Sequence, residues 1–138
     1  MILFLDFDGV LHPAYEDQFT PVDQVFCHLP RFEKILRDFP IVDIVISSMW
    51  RYQFTLDQLR IRFSPDIALR IIGKTPQSEY FDTSYLRARR EKEILNWLLD
   101  AERTDESWVA LDDCVWNFHI HLDQLVVCNA FTGLNEKS

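Results

Sequence analysis

The sequence predicts an α/β fold: a three-layer, Rossmann-like sandwich with a central, mainly parallel five-stranded sheet. Short apolar runs rich in β-branched residues alternate along the chain with segments of helical periodicity. This alternation is typical of parallel strands joined by helical crossovers. Hydrophobic residues make up 48% of the 138 residues, which suffices for one buried core. Polar residues directly follow four of the five predicted strands, and such sheets bind ligands at that edge.

The first part of the chain contains two predicted strands and one helix. A strand is predicted over residues 2–7, where an apolar run leads into Asp6. Residues 10–29 show little periodicity, and so long a segment without regular structure in a small domain is usually functional. A helix is predicted over residues 30–39, which begin with proline and carry apolar residues at helical spacing. The β-branched run over residues 41–46 predicts a buried strand.

The rest of the chain continues this alternation. A helix is predicted over residues 54–63, with Thr55 as its candidate N-cap. The remaining predicted elements are a strand over residues 67–72, a polar loop over 77–84, a helix over 85–101, and strands over 108–111 and 125–128. Together these elements account for one sheet and its helices, so we expect a single domain over residues 1–138.

The charge of the chain bears on its partners. A formal net charge of −8 argues against the extended basic surface that binds nucleic-acid phosphates. A local basic cluster of Arg87, Arg89, Arg90 and Lys92 leaves a nucleic-acid partner possible. No apolar run is long enough to span a membrane, and the N-terminal apolar run lacks the basic flank of a signal peptide. We therefore expect a cytoplasmic protein without a membrane partner.

The cysteines and histidines do not form a zinc-binding pattern. Cys27, Cys114 and Cys128 are odd in number and lack C-x-x-C spacing, so we interpret them as reduced thiols. His119 and His121 would share a face only in an extended segment, and we interpret them as surface residues. A zinc site is therefore not expected.

Two aspartates follow the first apolar run, in the sequence Asp6-Phe7-Asp8-Gly9. If the strand continues through Phe7, its pleat places both carboxylates on one side, and Gly9 allows the chain to turn away. Carboxylates this close repel each other unless a cation lies between them, and hard oxygen ligands favour Mg²⁺. The alternative is an acidic turn at a strand end that carries no chemistry.

Three further predicted strands end in residues that suit phosphate chemistry. Ser47 and Ser48 follow the second strand, Lys74 follows the third, and Asp112 and Asp113 follow the fourth. Because the strands are predicted to be parallel, their carboxyl ends meet at one edge, and we expect these side chains to lie near the first aspartate pair. The serine pair also has a simpler interpretation as a cap at the end of a strand. The aspartate pair has a simpler interpretation as an acidic turn without a metal.

These motifs, in this order, resemble those of the haloacid dehalogenase superfamily. The run Asp6-Phe7-Asp8-Gly9-Val10 resembles its motif I, Ile44-Val45-Ile46-Ser47 its motif II, and Ala110-Leu111-Asp112-Asp113 its motif IV. The chain is most similar to the compact, capless branch found within RNA-repair proteins. The segments that carry this similarity are Asp-Gly-Val-Leu-His-Pro, Ile-Ser-Ser-x-Trp-Arg, Gly-Lys-Thr-Pro, Leu-Asp-Asp and Thr-Gly-Leu.

The resemblance implies a Mg²⁺-dependent phosphatase without a large cap domain. It implies that Asp6 attacks phosphorus to form an aspartyl-phosphate, and that Asp8 acts as general acid and then general base. Ser47, or alternatively Ser48, would bind a phosphoryl oxygen. A squiggle- or flap-like insertion is expected within residues 10–29.

The same resemblance assigns the remaining site residues. The expected metal ligands are Asp6, Asp8, Asp112 and Asp113. The expected substrate contacts are Gly9, Ser48 and Arg51. Either Lys74 or Arg90 would neutralise the transferring phosphoryl group, and we favour Arg90. The charges on the predicted helix that carries Arg90 have a simpler interpretation, as its solvated face.

Other functions stay open on the sequence alone. Two interpretations are a phosphatase that acts on an unidentified class of phosphorylated substrate and a nucleic-acid-end phosphatase that works with repair partners. A third interpretation is a binding or regulatory module that keeps the fold but has little turnover. The intact aspartate pair argues against that third interpretation, because a scaffold need not keep both carboxylates.

Overall fold

A five-stranded, all-parallel sheet forms the centre of the protein, in a computed structural model that describes residues 1–13, 25–77, 88–129 and 132–134. The strands are β1 (Ile2–Leu5), β2 (Asp43–Ile46), β3 (Ile71–Lys74), β4 (Trp108–Asp112) and β5 (Leu125–Val127). Their order across the sheet is β3-β2-β1-β4-β5, and every neighbouring pair is parallel. The predicted Rossmann-like α/β fold is confirmed.

Helices cover both faces of this sheet. They are α1 (Leu29–Arg37), α2 (Leu56–Arg60), α3 (Pro65–Ala68) and α4 (Arg89–Asp100), with short 3₁₀ turns at Met49–Tyr52, Val115–Asn117 and Leu122–Gln124. Residues of α1, α2 and α3 pack in one core cluster, and residues of α4 pack in another. Within the described residues, no helix has the length and apolar character needed to cross a membrane.

The central strand β1 divides its side chains between the two cores. Leu3 and Leu5 belong to the cluster with α1, whereas Ile2 and Phe4 belong to the cluster with α4. This division follows from the alternation of side chains along a strand. All four residues are buried, as expected for a parallel strand covered on both faces. Strand β1 lies in the middle of the sheet. Asp6, the residue that follows β1, therefore lies at the centre of the edge formed by the carboxyl ends of the strands.

The predicted third strand over residues 67–72 is wrong in its first half. The chain forms α3 there, and β3 begins only at Ile71. Pro65 occupies the first turn of α3, where its missing N–H is not needed. The Glu33 carboxylate from α1 accepts hydrogen bonds from the Ser64 backbone N–H (2.7 Å) and hydroxyl (2.8 Å). These long-range contacts hold the start of α3, where the Ser64-Pro65 pair also favours a helix N-terminus within a β-prone run.

Other predicted boundaries are adjusted by a few residues. The helix predicted over 54–63 is the shorter α2, whose N-cap Thr55 forms a capping box with Gln58. Strand β1 ends at Leu5 rather than residue 7. The predicted insertion over 10–29 includes residues 14–24, and the predicted loop and helix over 77–101 include residues 78–87; both stretches lie outside the described residues.

The Thr-Gly-Leu segment near the end of the chain packs against the start of the chain. The Leu134 backbone N–H donates to the Val10 carbonyl at 2.6 Å, and the Arg31 guanidinium donates to the Leu134 carbonyl at 3.1 Å. Gly133 has φ +73°, and a Cβ there would lie 3.0 Å from the Val10 carbonyl oxygen. Glycine is therefore required at position 133 for this close approach. The approach holds the Thr-Gly-Leu segment against Val10, which follows the first aspartate pair in the sequence.

Candidate active site

The carboxyl ends of β1 and β4 bring three aspartates together. The two strands pair along their length, and the Asp6 backbone N–H continues the ladder to the Leu111 carbonyl at 3.1 Å. Asp6, Asp112 and Asp113 each offer one ligand atom, and these atoms lie within 4.8 Å of one another. Asp6 and Asp112 are buried, whereas Asp113 is partly accessible. The structure therefore gathers three of the four predicted metal ligands.

Arg90 reaches this carboxylate group from the first turn of α4. Its Nη1 atom lies 3.2 Å from Asp6 Oδ1 and 2.8 Å from Asp112 Oδ2. Lys74, the other candidate cation, is exposed, and its Nζ atom lies 3.4 Å from the Arg51 carbonyl oxygen. Arg90 is thus the candidate that lies beside Asp6.

The electrostatics of the group favour an additional cation. Burial, together with the charges of Asp112 and Asp113, holds the pKa of Asp6 well above its usual range, although Arg90 opposes this shift. Burial and the Asp112 charge likewise raise the pKa of Asp113. Three ionised carboxylates and one guanidinium would carry a formal net charge of −2. Closely spaced oxygen ligands with uncompensated negative charge fit Mg²⁺.

Asp8 lies apart from this group and has a different environment. Its side chain is 50% exposed, and its Oδ1 atom lies 2.6 Å from His12 Nε2. The Trp50 indole N–H donates to the same carboxylate, at 3.2 Å from Oδ2. Burial alone would raise the pKa of Asp8, but the His12 and Trp50 contacts outweigh it, and the pKa is lowered. The Asp8 side chain, predicted as a fourth metal ligand, is held by these two donors instead.

Gly9 allows the first aspartate pair to approach β4. Its φ is +76°, and a Cβ at this position would lie 2.6 Å from Asp113 Cγ. No larger residue fits without moving Asp113, so Gly9 sets the separation between the turn after β1 and the acidic end of β4. A direct contact between Gly9 and substrate stays a prediction.

The two serines after β2 differ in their surroundings. The Ser48 hydroxyl accepts a hydrogen bond from the Trp50 backbone N–H at 3.2 Å and caps the turn Met49–Tyr52. The Ser47 backbone N–H donates to the Leu5 carbonyl at 2.9 Å, which places Ser47 beside the end of β1 and one residue from Asp6. Both serines are buried. The capping role of Ser48 leaves Ser47 as the better candidate for a phosphoryl contact.

Arg51, predicted as a substrate contact, is enclosed by the protein. Its Nε donates to the Thr75 carbonyl at 2.9 Å, and its Nη1 donates to the Ser47 and Ser48 carbonyls at 2.8 Å each. Its Nη2 donates to the Tyr52 hydroxyl and to Glu93 Oε2, at 2.7 Å each. These contacts use all five N–H donors of the guanidinium. Arg51 therefore ties the ends of β2 and β3 to α4, and a contact with substrate stays a prediction.

Several contacts at this edge were not expected from the sequence. His12 and Trp50 hold Asp8, and Glu93 completes the Arg51 contacts. The Thr75 hydroxyl, after β3, is buried and has no hydrogen-bond partner among the described residues. His12 carried a local signal, because it lies four residues after Asp8 in an irregular segment. The other contacts join residues more than twenty positions apart, which single-sequence patterns do not connect.

Comparison with known families agrees with this geometry. The family described as the HAD domain in Swiss Army Knife RNA repair proteins matches residues 2–138. No curated protein and no solved structure matches the chain. The match covers nearly the whole chain, including every strand end that contributes to the site. The chain therefore belongs to the family of HAD domains found in Swiss Army Knife RNA repair proteins.

Proposed function

We propose that this protein is a Mg²⁺-dependent phosphatase that hydrolyses a phosphomonoester through an aspartyl-phosphate on Asp6. Membership of a HAD family supports a phosphatase or an RNA-repair-related function in general. The observation that carries the finer proposal is the contrast between two neighbouring aspartates. Asp6 is buried against Arg90 and the β4 carboxylates, whereas Asp8 is half exposed and held by two donors. Such divergent environments suit one nucleophile and one proton-transfer group.

In the proposed reaction, Asp6 attacks phosphorus while the bond to the leaving oxygen breaks. The Phe7 backbone N–H donates to Asp6 Oδ1 at 2.9 Å, which fixes the rotation of the attacking carboxylate. Arg90 lies on the same oxygen and neutralises charge as the anionic phosphoryl group arrives. The Ser47 hydroxyl would bind another phosphoryl oxygen. Positioning and charge neutralisation would provide most of the rate enhancement.

Asp8 transfers the protons in this mechanism. An arriving phosphate adds negative charge beside Asp8 and so raises its pKa, which favours the protonated acid in the complex. Asp8 then gives its proton to the leaving oxygen. In the second half of the reaction, the carboxylate accepts a proton from the water that hydrolyses the aspartyl-phosphate.

The carboxylates of Asp6, Asp112 and Asp113 would hold Mg²⁺. Their oxygen atoms and close spacing fit this hard cation. When bound, the ion supplies positive charge that reduces repulsion between the anionic substrate and the attacking carboxylate. Arg90 contacts two of these carboxylates, those of Asp6 and Asp112. It therefore orients them even before a metal binds.

The substrate belongs to an unidentified class of phosphorylated molecules. A nucleic-acid-end phosphatase that works with repair partners is the second candidate, and the RNA-repair context of the family favours it. The chain's net charge of −8 favours a local docking surface over a broad electrostatic one. A weakly catalytic regulatory module is the third candidate, and an activity measurement separates it from the other two.

The test is hydrolysis of a generic phosphomonoester and of phosphate-ended oligonucleotides, with Mg²⁺ and with EDTA. We expect Mg²⁺-dependent release of phosphate from the wild-type protein. Asp6→Asn should reduce turnover by more than about a hundredfold, because an amide is not a nucleophile. Asp57→Asn is the matched control, since Asp57 has a 90% exposed side chain. Turnover of Asp6→Asn above about a hundredth of wild type would exclude Asp6 as the nucleophile.

A further inference from the structure

His12 is completely buried and joins two polar groups on either side of its ring. Its Nε2 atom lies 2.6 Å from Asp8 Oδ1. Its Nδ1 atom lies 3.3 Å from the Phe26 backbone nitrogen, whose N–H points towards it. The ring has no exposed surface, and among the described residues these two contacts orient it.

The Phe26 contact selects one tautomer of His12. A backbone N–H can only donate, so Nδ1 must be an acceptor and carries no proton. In the neutral imidazole, the proton then resides on Nε2. The Nε2–H group therefore donates to Asp8 Oδ1, and Asp8 is the acceptor in this pair.

The backbone conformation of Phe26 fixes the direction of the N–H group that selects this tautomer. Its φ is +57°, in the left-handed region that non-glycine residues seldom adopt. Its ring contacts the rings of Phe7 and Trp50, with centroid distances of 5.2 Å in both cases. An unfavourable backbone conformation maintained by packing is often found at functional sites. Here it directs a backbone donor at a buried imidazole.

The Asp8 carboxylate is therefore fixed by two oriented donors. His12 donates to Oδ1 and the Trp50 indole donates at 3.2 Å to Oδ2. Both rings are themselves packed together, with a centroid distance of 5.8 Å. Half of the Asp8 side chain stays accessible, and that accessible part is where a leaving group can exchange a proton with it.

We propose that His12 is a positioning residue, locked by the Phe26 amide in its Nε2–H tautomer, that orients Asp8 for proton transfer to the leaving group. The proposal rests on the proposed phosphatase function. In the step concerned, the Asp6–phosphorus bond forms, the bond from phosphorus to the leaving oxygen breaks, and the Asp8 proton moves to that oxygen. His12 keeps its own proton throughout.

The first test does not depend on activity. Two-dimensional ¹H–¹⁵N NMR of the imidazole, assigned by loss of the signal in His12→Phe, reports which nitrogen carries the proton. We expect the neutral Nε2–H pattern for His12. A protonated Nδ1, or a rapidly exchanging mixture of tautomers, would overturn the proposal even if the protein is an active phosphatase.

The second test measures release of the leaving group in a single turnover, which isolates formation of the aspartyl-phosphate. An alkyl phosphate needs a proton on its leaving oxygen, whereas dinitrophenyl phosphate does not. His12→Phe keeps the ring but has no donor, and it should slow release from the alkyl phosphate at least about tenfold more than release from dinitrophenyl phosphate. His12→Gln, which keeps an N–H near the Nε2 position, should recover part of this loss.

His28→Phe is the matched control, because it removes a neighbouring imidazole that contacts the Thr132 carbonyl rather than Asp8. We expect it to affect both substrates equally. Equal slowing of both substrates in His12→Phe would mean that His12 supports the fold only, and would contradict the proposal. A wild-type protein that hydrolyses neither substrate would instead contradict the proposed function. The NMR measurement would still decide which nitrogen of His12 carries the proton.

Discussion

Asp6 and Asp8 are two positions apart, yet the protein shifts the pKa values of their carboxyl groups in opposite directions. Burial and the neighbouring carboxylates raise the pKa of Asp6. The His12 and Trp50 contacts lower that of Asp8 despite its partial burial. Because both are aspartates, the difference arises from their surroundings, which are burial beside other carboxylates for Asp6 and the His12 and Trp50 donors for Asp8. The sequence motif alone does not encode this difference.

The raised pKa of Asp6 leads to a prediction about stability. A carboxyl group whose folded pKa lies above its unfolded pKa destabilises the fold when ionised, and this penalty is absent at pH values below both pKa values. We expect metal-free Asp6→Asn to melt at a higher temperature than wild type at neutral pH. The difference should shrink as the pH falls and the wild-type carboxyl becomes protonated.

This prediction is measured by thermal denaturation in EDTA across acid to neutral pH, with Asp57→Asn as the control. Its exposed side chain should make the control nearly indistinguishable from wild type. A lower melting temperature for Asp6→Asn at neutral pH would show that the Arg90 pair outweighs the burial of Asp6.

Arg90 and Lys74 give a second prediction at the residue scale. Arg90 contacts the nucleophile and Lys74 does not, so Arg90→Ala should lower turnover by about a hundredfold or more for every substrate. Lys74→Ala should change small-substrate turnover far less. The measurement is kcat and KM with the smallest phosphomonoester that is hydrolysed. The reverse result, with Lys74→Ala inactive and Arg90→Ala active, would make Lys74 the neutralising cation.

At the scale of elements, the sequence predicted the sheet well because its signals are local. Apart from the first half of the third strand, the strand runs could be recognised from apolar continuity and from the polar residues that follow. The parallel arrangement then brought Asp6, Asp112 and Asp113 together as expected. The helix α3 was not predicted, because four residues are too few to show helical periodicity, and the Glu33 contact with Ser64 comes from a residue 31 positions away.

The contacts around Asp8 were missed for a related reason. They depend on the path of an irregular segment and on aromatic packing, for which a single sequence has no periodicity. The internal contacts of Arg51 were missed in the same way, and its substrate contact stays a prediction. An arginine after a strand suits a phosphate site, yet its five donors are used to connect three elements.

The Arg51 contacts predict a large effect on stability. Arg51→Met would leave the buried Glu93 carboxylate and three backbone carbonyls without this partner. Breaking a buried ion pair on one side typically destabilises by about 3–5 kcal/mol, and we expect that loss in urea denaturation. Arg37→Met removes an exposed ion pair with Asp66 and should cost far less, because exposed ion pairs contribute little to stability. Similar losses for the two variants would contradict the proposed role of Arg51.

At the scale of the whole molecule, the hydrophobic cores hold an unfavourable charge cluster in place. Two core clusters on opposite faces of the sheet fix β1 and β4 side by side. The adjacent strand ends then force three carboxylates together, in a chain whose formal net charge is already −8. Folding thus assembles a site whose repulsion a divalent cation would relieve, so metal binding and global stability should be coupled.

This coupling gives the last prediction. A ligand that binds only the folded state stabilises it by about 2.7 kcal/mol at a concentration one hundred times its Kd. For a chain of this size, that corresponds to a rise in Tm on the order of 10 °C. We expect millimolar Mg²⁺ to raise the wild-type Tm and Asp112→Ala to remove the rise, because its carboxylate belongs to the three-aspartate group. Asp57→Asn should keep the wild-type response. An unchanged wild-type Tm in Mg²⁺, or a full response in Asp112→Ala, would argue against a metal site at the junction of β1 and β4.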